Sequence, residues 1–112
     1  MKIKEKIENH VAVLTLSGKM MGGPDTQAVH DHIKGLINDG VKNVVIDLGE
    51  VKWMNSSGMG TLMACMTTLN NSDGNLALAR VTEKVESLLI ITQLIKVFKT
   101  YETVERAVSS FS

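Results

Sequence analysis

Asn55-Ser56-Ser57-Gly58 is the stretch of this chain whose residue types could do the most chemistry. Two adjacent hydroxyls stand between an apolar run, Val44-Val45-Ile46-Asp47-Leu48, and a Met/Leu-rich segment with helical spacing from Ser57 onward. That is the mouth of a helix. The first backbone N–H groups of a helix lack intrahelical partners and carry partial positive charge. A serine there has two uses. It can cap the helix, which contributes about 1 kcal/mol. It can also carry a phosphate of about −1.5 to −2 charge, which free N–H groups partly accommodate. Local physics permits both readings and does not choose between them.

The other candidate groups point to less. Asp47 and Glu50 are the carboxylates near the turn and could serve as acid or base. No second matched group, metal-ligand spacing or Gly-rich phosphate loop accompanies them, and Ser56 lacks the Gly-x-Ser-x-Gly elbow of a hydrolase. Asp47 at a strand end is expected to bond loop amides. His30 and His32 are two apart on a predicted helix and do not share a face, so they and His10 read as surface residues. No catalytic residue, metal ligand or cofactor site is assigned. Cys65, inside a predicted helix without Cys or His company, reads as a small core residue. Met59, Met63 and Met66 fit a core stripe, whereas Met20, Met21 and Met54 fall in predicted loops and are candidates for exposed contact. Trp53 fits partial burial under the turn or a binding role equally well.

Composition narrows the function classes. The 112 residues suit one domain, 1–112, with its own core. Twelve basic and twelve acidic residues leave no net charge, and no basic stripe stands out as a nucleic-acid footprint. With four aromatic residues in the chain, stacking platforms for single strands are not expected either. One cysteine excludes an internal disulfide and suits a reducing compartment. The basic start, Met1-Lys2-Ile3-Lys4-Glu5-Lys6, has no apolar region after it, and no apolar run is long enough to span a membrane. The expected location is the cytoplasm.

The elements that must hold the turn can be read in order. Ile3 to Ile7 alternates like an edge strand, Glu8-Asn9-His10 is a tight turn, and Val11 to Leu16 is a more buried strand ended by Ser17-Gly18. Two strands joined so closely must be antiparallel. Lys19 to Gly23 reads as a loop. Pro24 then opens a helix with Val29, Ile33, Leu36 and Ile37 on one face, stopped at Asn38-Asp39-Gly40. Val44 to Leu48 is a strand buried on both faces, and Gly49 to Asn55 is its connecting turn. The next helix carries Met59, Leu62, Met63, Met66 and Leu69 on one stripe. Gly60, Ala64 and Thr67 form a line of small residues suited to close packing. Leu76 to Ala79 is a strand, Thr82 caps a helix ending near Thr92, Val97-Phe98 is a weak strand, and Val104, Ala107, Val108 and Phe111 mark a last helix. The order ββαβαβαβα predicts an α/β fold with a mostly parallel sheet and an antiparallel N-terminal edge strand. Functional loops of such sheets gather at the carboxyl ends of the strands, where Asn55 to Gly58 falls.

Taken together, Asp47-Leu48, Val51-Lys52-Trp53-Met54 and Asn55-Ser56-Ser57-Gly58-Met59-Gly60 resemble the STAS domain and, within it, the bacterial anti-sigma factor antagonists. The likeness extends over essentially the whole chain, from Leu16-Ser17-Gly18 to the Phe98…Tyr101 segment and its helix. It implies the STAS fold and a non-enzymatic regulator of transcription. Such proteins bind an anti-sigma factor that is also a serine kinase and so release a sigma factor. The kinase phosphorylates one serine, the modified antagonist lets go, and a PP2C-type phosphatase restores it. That serine corresponds to Ser56, and Ser57 matches the accompanying hydroxyl position, which the local reading already makes the expected helix cap. Met54, Asn55, Ser56, Ser57, Gly58 and Met59, with Met21 and Asp25 across the first loop, are the implied partner surface.

The chain departs from the family pattern at two places. The family has a carboxylate where Asn55 stands; an amide keeps the shape and can cap, but has no charge. Met20-Met21-Gly22-Gly23 also differs from the usual entry to the first helix. Asn55 motivates a competing expectation, a constitutive STAS adaptor in a signalling or transport complex with no phospho-switch. An enzyme or small-ligand domain would require a deep polar pocket near Ser56.

Overall fold

A computed structural model describes residues Met1–Ser112. The elements are β1 (Lys2–Glu8), β2 (Val11–Met20), α1 (Pro24–Asn38), β3 (Asn43–Met54), α2 (Ser56–Asn71), β4 (Asn75–Ala79), α3 (Glu83–Ile91), β5 (Lys99–Tyr101) and α4 (Val104–Ser109). This is the predicted ββαβαβαβα order. The five strands lie in the sequence order β1-β2-β3-β4-β5. β1 pairs antiparallel with β2, and every later pair is parallel. The turn that reverses the chain after β1 places both Asn9 and His10 at positive φ.

Strand alternation divides the core between the two faces of the sheet. Ala12, Leu14 and Leu16 of β2, Val44, Ile46 and Leu48 of β3, and Leu76 and Leu78 of β4 face α1, α2 and α3. The helices answer with Val29, Ile33 and Leu36, with Met59, Leu62, Cys65 and Leu69, and with Val85 and Leu89. On the opposite face Val11, Val13, Val45, Ala77 and Ala79 meet Ala107 and Val108 of α4. Residues Val44 to Leu48 are all buried, as a central strand covered on both sides requires.

Several boundaries differ from the sequence reading. β2 does not stop at Ser17-Gly18 but continues to Met20, and β3 continues through the expected turn, Gly49 to Asn55, as far as Met54. The two extensions pair with each other, Lys19 with Trp53 and Met20 with Met54. Their register slips between Thr15 and Ser17 and again between Gly18 and Lys19. Such bulges bend a strand and re-aim its side chains. They break the two-residue alternation by which a strand is recognised, so the stretch reads as a turn. Met20 and Met54, expected in exposed loops, are consequently buried. β5 is Lys99–Tyr101 rather than Val97-Phe98; Phe98 turns into the core instead. Gly60 and Thr67 are exposed and Ala64 is half-buried, so the small-residue line of α2 is not the close-packed seam its spacing suggests.

Candidate functional site

The site is built where the extended carboxyl ends of β2 and β3 deliver two loops to the same end of the sheet. Asn55 sits between β3 and α2 with extended backbone. Its carboxamide oxygen accepts from the Gly58 N–H at 2.9 Å, which caps α2. Its amide nitrogen donates to the Met21 carbonyl at 3.1 Å. Its backbone N–H donates to the Met20 carbonyl at 3.2 Å. One residue therefore closes the helix and ties it to the β2–α1 loop. Asn55, not Ser57, is the cap, and α2 begins one residue earlier than the Ser57 expected from its spacing.

Gly58 completes the junction. A Cβ at this position would collide with the Met20 carbonyl oxygen, so only glycine lets α2 start this close to β2. From the first turn of α1, buried Thr26 bonds the facing loop: its hydroxyl accepts from the Gly22 N–H at 3.0 Å and donates to the Gly22 carbonyl at 3.2 Å. Gly22 lies against Ser57: a Cβ on Gly22 would stand 2.9 Å from the Ser57 Cβ.

The expected surface residues separate into two sets. Ser56 and Ser57 are exposed on the first turn of α2, and their backbone N–H groups have no partner in the chain. Met21, whose carbonyl Asn55 holds, is exposed, and so is Asp25 on the first turn of α1, 4.0 Å from the N-terminal ammonium. Met54, Met59 and Gly58 are buried. Met54 and Met59 are corrected from contact residues to supports beneath the turn, because the bulged end of β3 points Met54 inward and Met59 faces the sheet. None of the five principal clefts is lined by residues 54–59 or 20–26. The two serines stand on an open helix start.

Two features went unseen in the sequence. Asp47 is buried and receives both Arg80 Nε at 2.8 Å and Arg80 Nη2 at 2.9 Å, besides the Gly49 N–H at 3.0 Å. The loop-amide bond was anticipated; the arginine, 33 residues away and in the left-handed region at φ 52°, was not. Its guanidinium lies across Gly49, where a Cβ would not fit. The Asp47 carboxylate holds Arg80 charged, raising its pKa further. The second feature is Trp53, which is exposed and carries the Lys84 ammonium 4.9 Å from its ring centroid.

The remaining titratable groups are structural. Cys65 is buried and its thiol is pushed up to about 12 by that burial, so it remains protonated and unreactive. His30 Nε2 lies 2.8 Å from Thr68 Oγ1 and joins α1 to α2. Burial first, and Lys34 second, lower its pKa. His32 bonds Glu5 at 2.7 Å. No three His, Cys, Asp or Glu side chains converge as a metal site, and no helix is long and apolar enough to cross a membrane.

Comparison with known proteins gives this architecture a family. The family model for the STAS domain matches residues 2–107. The chain belongs to the STAS domain family. A Thermotoga maritima protein described as a candidate anti-sigma factor antagonist is 30% identical over 71 residues, 63% of either chain. A Staphylococcus epidermidis anti-sigma-B factor antagonist is 34% identical over 56 residues, 50% of this chain and 52% of the relative. The matches thus span between half and two thirds of these relatives' length. Among solved structures, an anti-sigma factor antagonist from Mycobacterium paratuberculosis superposes with a TM-score of 0.82 at 24% identity, covering 97% of this STAS chain and 92% of the other. The Bacillus cell fate determinant SpoIIAA in its phosphorylated form superposes with a TM-score of 0.76 at 17% identity, covering 99% and 100%. A sulfate transporter family protein from Wolinella succinogenes also shares the fold, with a TM-score of 0.74 at 15% identity over 94% and 87%.

Proposed function

We propose that residues 1–112 form one STAS domain that acts as a cytoplasmic anti-sigma factor antagonist. It binds a serine-kinase anti-sigma factor, frees the sigma factor, and is released when that kinase phosphorylates Ser56. A PP2C-type phosphatase reverses the modification. The chain itself catalyses nothing in this scheme. The observation that carries the reading is the exposure of Ser56 as the first residue of α2, with two unpartnered N–H groups beside it. A phosphate there changes the surface a partner meets without breaking any bond of the junction. Ser56 is favoured over Ser57 because it matches the phosphorylated position that the family resemblance implies, while Ser57 lies nearer the β2–α1 loop, against Gly22. The relatives named as anti-sigma factor antagonists support the role.

The test is incubation of the chain with the serine-kinase anti-sigma factors of its source organism and ATP, with the modified residue mapped by mass spectrometry. One phosphate on Ser56 and loss of the complex are expected, and Ser56→Asp should bind weakly. Full binding by Ser56→Asp, with no phosphate on Ser56, would instead indicate a constitutive adaptor. Asn55 favours that second reading: both ends of its amide are occupied, and it offers no carboxylate to a kinase.

A further inference from the structure

We propose that Trp53 is the apolar anchor of the partner surface and that it fits an apolar pocket with an acidic rim on the partner. The proposal rests on the antagonist reading above and extends it to residues that reading does not use. Six large apolar side chains are exposed, and two of them, Met21 and Trp53, flank the Asn55–Gly58 turn. Trp53 is 45% exposed although it is the largest side chain in the protein. The Lys84 ammonium of α3 lies 4.9 Å from the ring centroid, a cation–π contact that favours one orientation of the indole. An oriented, half-exposed tryptophan loses less freedom on docking, and interface hot spots are enriched in this residue.

The surroundings of the ring determine the partner's charge. Lys19 is the register partner of Trp53 on β2, Lys52 precedes it, and Lys84 covers it; all three are exposed. Of the nearby carboxylates, Glu50 is turned to Ser17 at 3.4 Å and Arg80 at 3.8 Å, leaving Glu83 as the acid closest in sequence to Lys84. In a protein with no net charge, one ammonium, that of Lys84, thus lies over the one tryptophan, and two more exposed lysines adjoin it by register and by sequence. Acidic groups opposite them speed docking and set its register. The same arrangement gives the Ser56 phosphate a means of release. Three residues from Trp53, it places about two negative charges on the surface that an acidic rim must approach.

The experiment is a calorimetric titration of the unphosphorylated full chain against each serine-kinase anti-sigma factor encoded by its source organism, at about 50 and about 300 mM salt. Trp53→Ala should weaken the parent complex by ~30-fold or more. Lys52→Glu combined with Lys84→Glu should weaken it ~10-fold at low salt, with a smaller difference at high salt. Lys99→Glu, on β5 at the far edge, should leave it unchanged. Thermal unfolding of each variant verifies its fold; exposed Trp53 and Lys52 are not needed for packing. If both anchor variants bind within about threefold of the parent while phosphorylation of Ser56 still releases the complex, the anchor is wrong and the antagonist reading stands. If no anti-sigma factor binds the parent chain, both are overturned.

Discussion

Asn55 does at residue scale what the family's carboxylate cannot. Its oxygen caps α2 and its nitrogen holds the Met21 carbonyl, so the helix start and the β2–α1 loop move as one unit. An aspartate would keep the first bond and turn the second into a repulsion between two oxygens. Asn55→Asp should therefore lower stability by about 1 kcal/mol in a denaturant titration. Amide exchange should quicken at Met21 to Gly23 while the later turns of α2 stay protected. Unchanged exchange in the loop would show that the tether does not restrain it. The cap itself was only half legible in the sequence. Asn, Ser and Ser all suit a helix start, and which of them caps depends on where β3 ends, a matter decided by its pairing with β2. The Ser56 hydroxyl is left without a hydrogen bond, which suits the modification proposed for it.

Bulges and ion pairs explain, at the scale of elements, why the order of elements was legible in the sequence while some strand ends and a buried ion pair were not. The β-branched run Val44 to Ile46, the apolar face of α1 and the Pro24 and Gly40 boundaries are local signals, and the structure agrees with them. The extended ends of β2 and β3 rest on register between residues some 33 apart, and the bulges conceal their alternation. The Asp47–Arg80 pair is equally non-local. Arg80→Ala would leave the Asp47 carboxylate buried with two neutral donors, the Gly49 N–H at 3.0 Å and the Thr15 hydroxyl at 3.4 Å. We expect a loss of about 2 kcal/mol, reduced from the full cost of a broken buried pair because Arg80 is itself partly exposed. Urea unfolding of this variant beside the Asp47→Asn, Arg80→Ala double variant measures the coupling. The α1–α2 contact carries a pH dependence. His30 has a lowered pKa in the fold, so below about 6.5 the unfolded chain takes up the proton first. Stability should be full above that value and decline as pH falls toward the folded pKa. His30→Gln should flatten this part of the profile; an unaltered slope would remove His30 as its source.

The whole molecule is a sheet covered on one face by three helices and on the other by α4, with its working loops at the carboxyl ends of β2 and β3. Since the two cores share the same strands, unfolding should be cooperative, and Cys65 reports on it. Buried and held protonated, it should resist alkylation in the native state and react only as fast as the domain opens. Leu62→Ala, which empties a fully buried site next to it, should cost about 3 kcal/mol and accelerate that reaction in proportion. This rigidity matters for the proposed switch, because a phosphate on a stable end of the sheet alters only the face presented to a partner. The most direct measurement is the phosphosite and the fate of the complex after ATP is added to the chain bound to its serine-kinase anti-sigma factor. The account predicts one phosphate, on Ser56, and dissociation that Ser56→Ala prevents. A phosphate confined to another residue, or a complex that persists with Ser56 fully phosphorylated, would contradict it.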